Sequence, residues 1–182
     1  LNEKYSKAKS SDEPVPLSLP VLMTQEILPV QYDVEGWVQK MGRSLVTASN
    51  NVGKSIMLMQ LALAVAIGYS LFLSKFTVKK GKVLYLDCEM GWSILKQRFS
   101  LMAKNLDVPD LYIQYVPTFD LMSSEGRQVL ERWLTDIKPD LLVVDSLGNI
   151  HGLDEIKGQD IRRITRCIDE LRAKHGIAVL MS

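Results

Sequence analysis

The residues best able to do chemistry at a fixed spacing are Gly53, Lys54 and Ser55, which close the octapeptide Ala48-Ser49-Asn50-Asn51-Val52-Gly53-Lys54-Ser55. It matches the phosphate-binding pattern G-x-x-x-x-G-K-[ST] except at its first position, where Ala48 replaces glycine. Apolar Leu45-Val46 precede the loop and a long apolar run follows it. A strand feeding a tight loop that opens a helix aims several backbone N–H groups, and the positive end of the helix dipole, at one point where a polyphosphate can sit. Ala48, Ser49, Asn50, Asn51, Val52, Gly53, Lys54, Ser55 and Ile56 are therefore the expected nucleotide contacts. Lys54 would reach the β- and γ-phosphates, and the Ser55 hydroxyl would ligate Mg²⁺. The Ala48 methyl excludes some conformations open to glycine, whereas Asn50 and Asn51 belong to the type that best tolerates positive φ. Alone, Gly-Lys-Ser also reads as an ordinary turn and helix start.

Acids end two further apolar runs. In Leu141-Leu-Val-Val-Asp145, apolar residues bury a strand and a carboxylate emerges where the Mg²⁺ beside the phosphate loop would lie. In Leu86-Asp87-Cys88-Glu89-Met90, either acid can stand beside the γ-phosphate. Glu89, just past the strand, is the better candidate to orient or deprotonate a water, and capping the next helix is its structural alternative. A third strand end, Pro117-Thr118-Phe119, carries no acid or base and is expected only to line the site.

These residues must be held by an alternating framework. Strands are expected at 45–48, 82–87, 111–116, 141–145 and 177–181, and helices at 54–68, 92–104, 125–137 and 160–175. Short runs rich in Val, Ile and Leu separated by helical patterns mean βαβ units and an α/β fold, a mostly parallel sheet with helices on both faces. Ligands of such sheets bind at the carboxyl ends of the strands. Residues 1–20, broken by Pro14, Pro16 and Pro20, read as a flexible arm, and residues 21–182 as one domain. Residues 25–42 read as a segment docked on the core, in which Tyr32 and Trp37 either flank an adenine ring or only pack.

Composition narrows the function classes. The 182 residues, 47% hydrophobic and 24% charged, suit one soluble domain with a sizeable core. A net charge of +1 excludes a strongly basic protein, so nucleic-acid contact must come from a local patch. Cys88 and Cys167 sit within apolar patterns as small buried hydrophobes, not as a disulfide or zinc framework, and a cytoplasmic setting fits them. Residues 56–73 are apolar enough to be tested as a membrane span. They begin inside the phosphate loop, however, and a helix covering a parallel sheet can be apolar on most faces, so no membrane contact is expected.

Together, A-S-N-N-V-G-K-S, K-V-L-Y-L-D-C-E-M and D-L-L-V-V-D-S-L, followed by a loop, a helix and I-A-V-L-M-S, resemble the RecA-like P-loop ATPases. Among these the chain looks most like the RepA-like AAA-family ATPases, typified by plasmid-encoded hexameric replicative helicases. The likeness spans roughly residues 28–182. It implies a RecA-like core, ATP and Mg²⁺ as ligands, Lys54 and Ser55 on phosphate and metal, Asp145 as the Walker B acid, and Glu89 as the catalytic carboxylate. It also implies a ring-shaped homo-oligomer, a hexamer, acting on single-stranded DNA, with further core strands, a polar sensor and an arginine finger beyond Ser182. The Asp145-Ser146 pair favours this branch over motors with Asp-Glu at that place. A recombination or repair switch and a non-catalytic nucleotide-binding module are the alternatives.

In RecA-like proteins the loop after the Walker B strand touches DNA. Here residues 147–159 carry Gly148, Gly152 and Gly158 with a balanced set of His151, Asp154, Glu155 and Lys157, which suits a surface loop equally. In the following helix, Ile161, Ile164, Ile168 and Leu171 form the expected buried stripe. Arg162, Arg163 and Arg166 lie off it, facing solvent, a neighbouring subunit or nucleic acid.

Overall fold

A computed structural model describes residues 15–49, 51–104, 106–150 and 158–182. The chain opens with a one-turn helix, α1 (Leu19–Met23), and a hairpin of β1 (Tyr32–Val34) and β2 (Val38–Gln39). It continues through β3 (Arg43–Leu45), α2 (Lys54–Ile67) and a second hairpin, β4 (Leu71–Phe72) with β5 (Phe76–Thr77). Then come β6 (Val83–Asp87), α3 (Trp92–Ala103), β7 (Leu111–Tyr115), α4 (Ser124–Ile137), β8 (Leu141–Asp145), α5 (Gly158–His175) and β9 (Ala178–Met181). Five strands pair in the order β3-β9-β8-β6-β7, every pair parallel, so the expected RecA-like α/β core is present.

The strands read as unbroken apolar runs because both faces of the sheet are covered. Every residue of β6, β8 and β9 is buried. Alternate residues feed two cores. Tyr85, Leu141, Val143 and Leu180 pack with Leu58 and Leu61 of α2 and with Leu95 and Phe99 of α3. Leu84, Leu86, Leu142, Val144 and Val179 pack with Leu130 and Leu134 of α4 and with Ile164, Ile168 and Leu171 of α5. The side chain of Ile161 lies outside the described residues, as do residues 151–157 with His151, Gly152, Asp154, Glu155 and Lys157. Of the arginines off the stripe, Arg166 pairs with Glu170 at 3.0 Å.

The apolar run after the phosphate loop becomes a 14-residue helix, ended by Gly68 in the left-handed conformation at φ 80°. At 1.5 Å per residue α2 is about 21 Å long, short of the ~30 Å hydrocarbon core of a bilayer. Among the described residues no helix is long and apolar enough to cross a membrane.

Two expectations are corrected. The first core strand is 43–45, not 45–48: Val46 still donates to the Met181 carbonyl at 2.8 Å, and from Thr47 the chain has left the ladder to form the loop. Second, Phe119 does not line the nucleotide site but stacks on Trp133, 6.0 Å between ring centres, in the core under α4 and α5. Of the expected arm, residues 1–14 lie outside the described residues, and α1, which follows, buries none of its residues. Trp37 packs between Phe72 and Phe76, 5.6 Å from each, so the docking role holds for it and the adenine role does not.

Candidate nucleotide site

The loop between β3 and α2 takes positive φ at Asn51 (62°) and Gly53 (94°), and Ala48 is not among the described residues with positive φ. The position that departs from the pattern is therefore not asked for a conformation that a methyl group forbids. Asn50 lies outside the described residues. Met57 makes the first hydrogen bond of α2, to the Gly53 carbonyl at 3.0 Å. The N–H groups of Lys54, Ser55 and Ile56 thus have no acceptor within the helix and are free for an anion at its head.

A cavity of about 650 Å³ opens there. It is lined by Asn51, Gly53, Lys54, Ser55 and Ile56 from the loop and the head of α2, and by Glu89, Arg98, Asp145, Ser146 and Ser182 from α3 and the ends of the strands. Its size falls within the ~300–1,000 Å³ of small-molecule sites. Of the expected contacts, Ala48, Ser49 and Val52 stay out of the wall. Val52 is exposed, while the Ala48 and Ser49 carbonyls accept hydrogen bonds from Lys54 Nζ at 2.9 and 3.0 Å.

Register sets the acids side by side, Asp87 opposite Asp145. They do different work. Asp87 is fully buried, and its Oδ2 accepts from the Met90 and Gly91 N–H groups at 2.9 and 3.1 Å while Oδ1 has no partner. Burial pushes its carboxyl above the ordinary range, against the pull of those loop N–H groups. Asp87 therefore shapes the turn, and Glu89 on that turn lines the cavity. Glu89 is no helix cap, because Gly91 fills that position on α3 without a side-chain bond. Glu89 Oε1 accepts from Ser146 Oγ at 2.7 Å and Asn149 Nδ2 at 2.6 Å, and Oε2 has no hydrogen-bond partner among the described residues.

Asp145 is buried and held from both neighbouring strands. Tyr85 Oη donates to Oδ2 at 2.7 Å and Ser182 Oγ to Oδ1 at 2.6 Å. Burial first, and then the Asp145 charge, push the Tyr85 phenol far above its ordinary pKa, so it remains a donor. Each Asp145 oxygen keeps a second lone pair. With the Ser55 hydroxyl on the same cavity, that donor set fits Mg²⁺, which takes one or two protein oxygens and completes its shell with phosphate and water. Cys88 and Cys167 are free thiols and both are buried, as their apolar sequence patterns imply.

Sequence reasoning missed Tyr85, Arg98, Asn149 and Ser182. Only Arg98 carried a signal: it shares the Leu95, Phe99 stripe of α3, where a cation is out of place. Comparison with curated proteins gives no match. The family described as AAA domain matches residues 12–182, which contain the loop, both strand-end acids and β9. With a phosphate loop, two acids and a parallel sheet arranged around one cavity, the chain belongs to the AAA domain family of P-loop ATPases.

Proposed function

We propose that this ATPase domain hydrolyses ATP as the core of a ring-shaped, hexameric motor of the RepA-like helicase kind, working on single-stranded DNA in replication. The reading is carried by one observation: Lys54, Ser55, Glu89 and Asp145 line a single cavity. In it the triphosphate lies along the free N–H groups at the head of α2, with Lys54 exchanging its loop carbonyls for phosphate oxygens. Ser55 and Asp145 would hold Mg²⁺, which would offset phosphate charge and polarise the terminal phosphorus. Glu89 Oε2 takes a proton from water as the water oxygen bonds to that phosphorus. The bond to the β–γ bridging oxygen breaks, its electron pair leaves with ADP, and inorganic phosphate is the other product.

Ser146 and Asn149 steady Glu89 by its other oxygen. Asn149 ends the 3₁₀ turn Leu147–Asn149, at the start of the loop that in RecA-like proteins touches DNA, so a strand bound there would bear on the carboxylate. This contact supports DNA-dependent turnover. In Lys54→Ala both ATP binding and turnover are lost. Glu89→Gln binds ATP like the parent but turns it over on the order of 10²-fold more slowly or worse. Equal turnover in Glu89→Gln and parent, with and without single-stranded DNA, overturns the mechanism. Strand displacement by the assembled ring separates a helicase from a recombination switch.

A further inference from the structure

The cavity wall holds a second cation besides Lys54. Arg98 projects from α3 between the buried positions Leu95 and Phe99, half buried, and lines the nucleotide cavity. A guanidinium offers five N–H donors. Among the described residues its one hydrogen-bond partner is Met90 Sδ, with Nη1 at 2.9 Å, and a thioether is a weak acceptor. No carboxylate pairs with it there, although Glu89 and Asp145 line the same cavity; they accept instead from the neutral donors Ser146, Asn149, Tyr85 and Ser182. Four other arginines are paired with carboxylates: Arg43 and Arg172 with Asp169, and Arg127 and Arg166 with Glu170. A half-buried guanidinium with spare donors, beside a helix head built for phosphate, matches a phosphate oxyanion in charge and in planar fork geometry.

Position selects which phosphate. Lys54 and the free N–H groups come from the loop and the head of α2, whereas Arg98 comes from α3, lines the same cavity as Glu89 and touches Met90, the residue next to it. Glu89 acts at the terminal phosphorus, so the oxygens within reach of Arg98 are those of the same group. Resting on the ATPase reading above, we infer that Arg98 binds the terminal phosphate of the nucleoside triphosphate in its own chain, together with Lys54. The domain thereby distinguishes ATP from ADP before any neighbouring subunit contributes.

The test is equilibrium binding of the full chain to adenylyl imidodiphosphate and to ADP, each with Mg²⁺, for the parent, Arg98→Gln, Arg98→Lys and Lys54→Ala. Arg98→Gln loses roughly tenfold or more in affinity for the triphosphate analogue, the worth of one charge-assisted contact. Its ADP affinity stays at the parent value, which also reports that the site has folded. Arg98→Lys falls between, because it keeps the charge and loses the fork. If Arg98→Gln leaves the analogue-to-ADP ratio unaltered, whether by weakening both or neither, this inference is overturned while the ATPase reading stands. If the parent binds neither nucleotide, or Lys54→Ala binds both like the parent, the ATPase reading falls and this inference with it.

Discussion

Tyr85→Phe isolates one hydrogen bond at the centre of the site. The substitution removes the hydroxyl that donates to Asp145 Oδ2 at 2.7 Å and leaves the ring, which is fully buried and meets Phe99 edge-on at 5.7 Å. No cavity larger than one oxygen is made, so the cost is the bond. A hydrogen bond to a charged group contributes about 1.5–3 kcal/mol net. The upper half of that range applies to a carboxylate that cannot exchange the lost donor for bulk water. Asp145 keeps Ser182 Oγ at 2.6 Å, which limits the damage. For a chain of this size 1 kcal/mol moves the melting temperature by about 2–4 °C, giving a drop of roughly 5–12 °C. Thermal unfolding followed by circular dichroism measures it, with Tyr112→Phe as control, since Tyr112 is 39% exposed and its hydroxyl has no hydrogen-bond partner among the described residues. A Tyr85→Phe protein that melts with the parent and the control refutes the claim that this hydroxyl braces the acid.

Two further expectations concern the scaffold. Asp33 is 3% exposed, its Oδ2 has no partner, and burial, then Asp140, raise its pKa against the opposing pull of Lys40 and Lys79. Because the folded value lies above the unfolded one of about 4, both states are protonated below that pH and Asp33 costs nothing. The cost of the buried charge enters as pH rises through the folded pKa and is complete above it. Asp33→Asn is therefore more stable than the parent at pH 7 and loses that advantage toward pH 4, read as urea midpoints; an advantage that grows on acidification contradicts the assignment. At Gly126, in the first turn of α4, a Cβ would collide with the Asp120 carbonyl oxygen and stand 3.1 Å from the capping Ser123 Oγ. Gly126→Ala gains up to ~1 kcal/mol of helix propensity but must displace backbone, for a net loss of about 1–3 kcal/mol. A midpoint equal to or above the parent's shows that the 120–123 turn yields freely.

What could be read from residues alone was what burial writes into them. The spans of β6, β8 and β9 lie within a residue of the expected ones because each is apolar throughout, and α2 begins and ends at the glycines that cap it. β3 starts two residues and ends three residues before the expected span because it is an edge strand, bonded only to β9, and its Arg43, Ser44 and Leu45 are not buried as a set. The hairpins have strands of two or three residues, too short to show a period. The division of labour between Asp87 and Glu89 was legible only as a preference. It is decided by where the Met90 and Gly91 N–H groups find an acceptor, a local contact that periodicity does not report.

Parity accounts for the rest of the site. In β8, Leu141 and Val143 belong to the core under α2, and Asp145, two positions on, points to that same face, toward the helix whose first residues are Lys54 and Ser55. In β6 the same parity places Tyr85 on that face within reach of the carboxylate. The pairing of Val144 with Met181 sets Ser182 beside Asp145 from the other side. Slipping β8 by one residue against its neighbours would turn Asp145 toward α4 and α5, away from the phosphate loop, while leaving the apolar composition of the sheet untouched. The alternation that fills the two cores is thus also the device that aims the acid, and any change that shifts register in β8 removes the site before it unfolds the sheet.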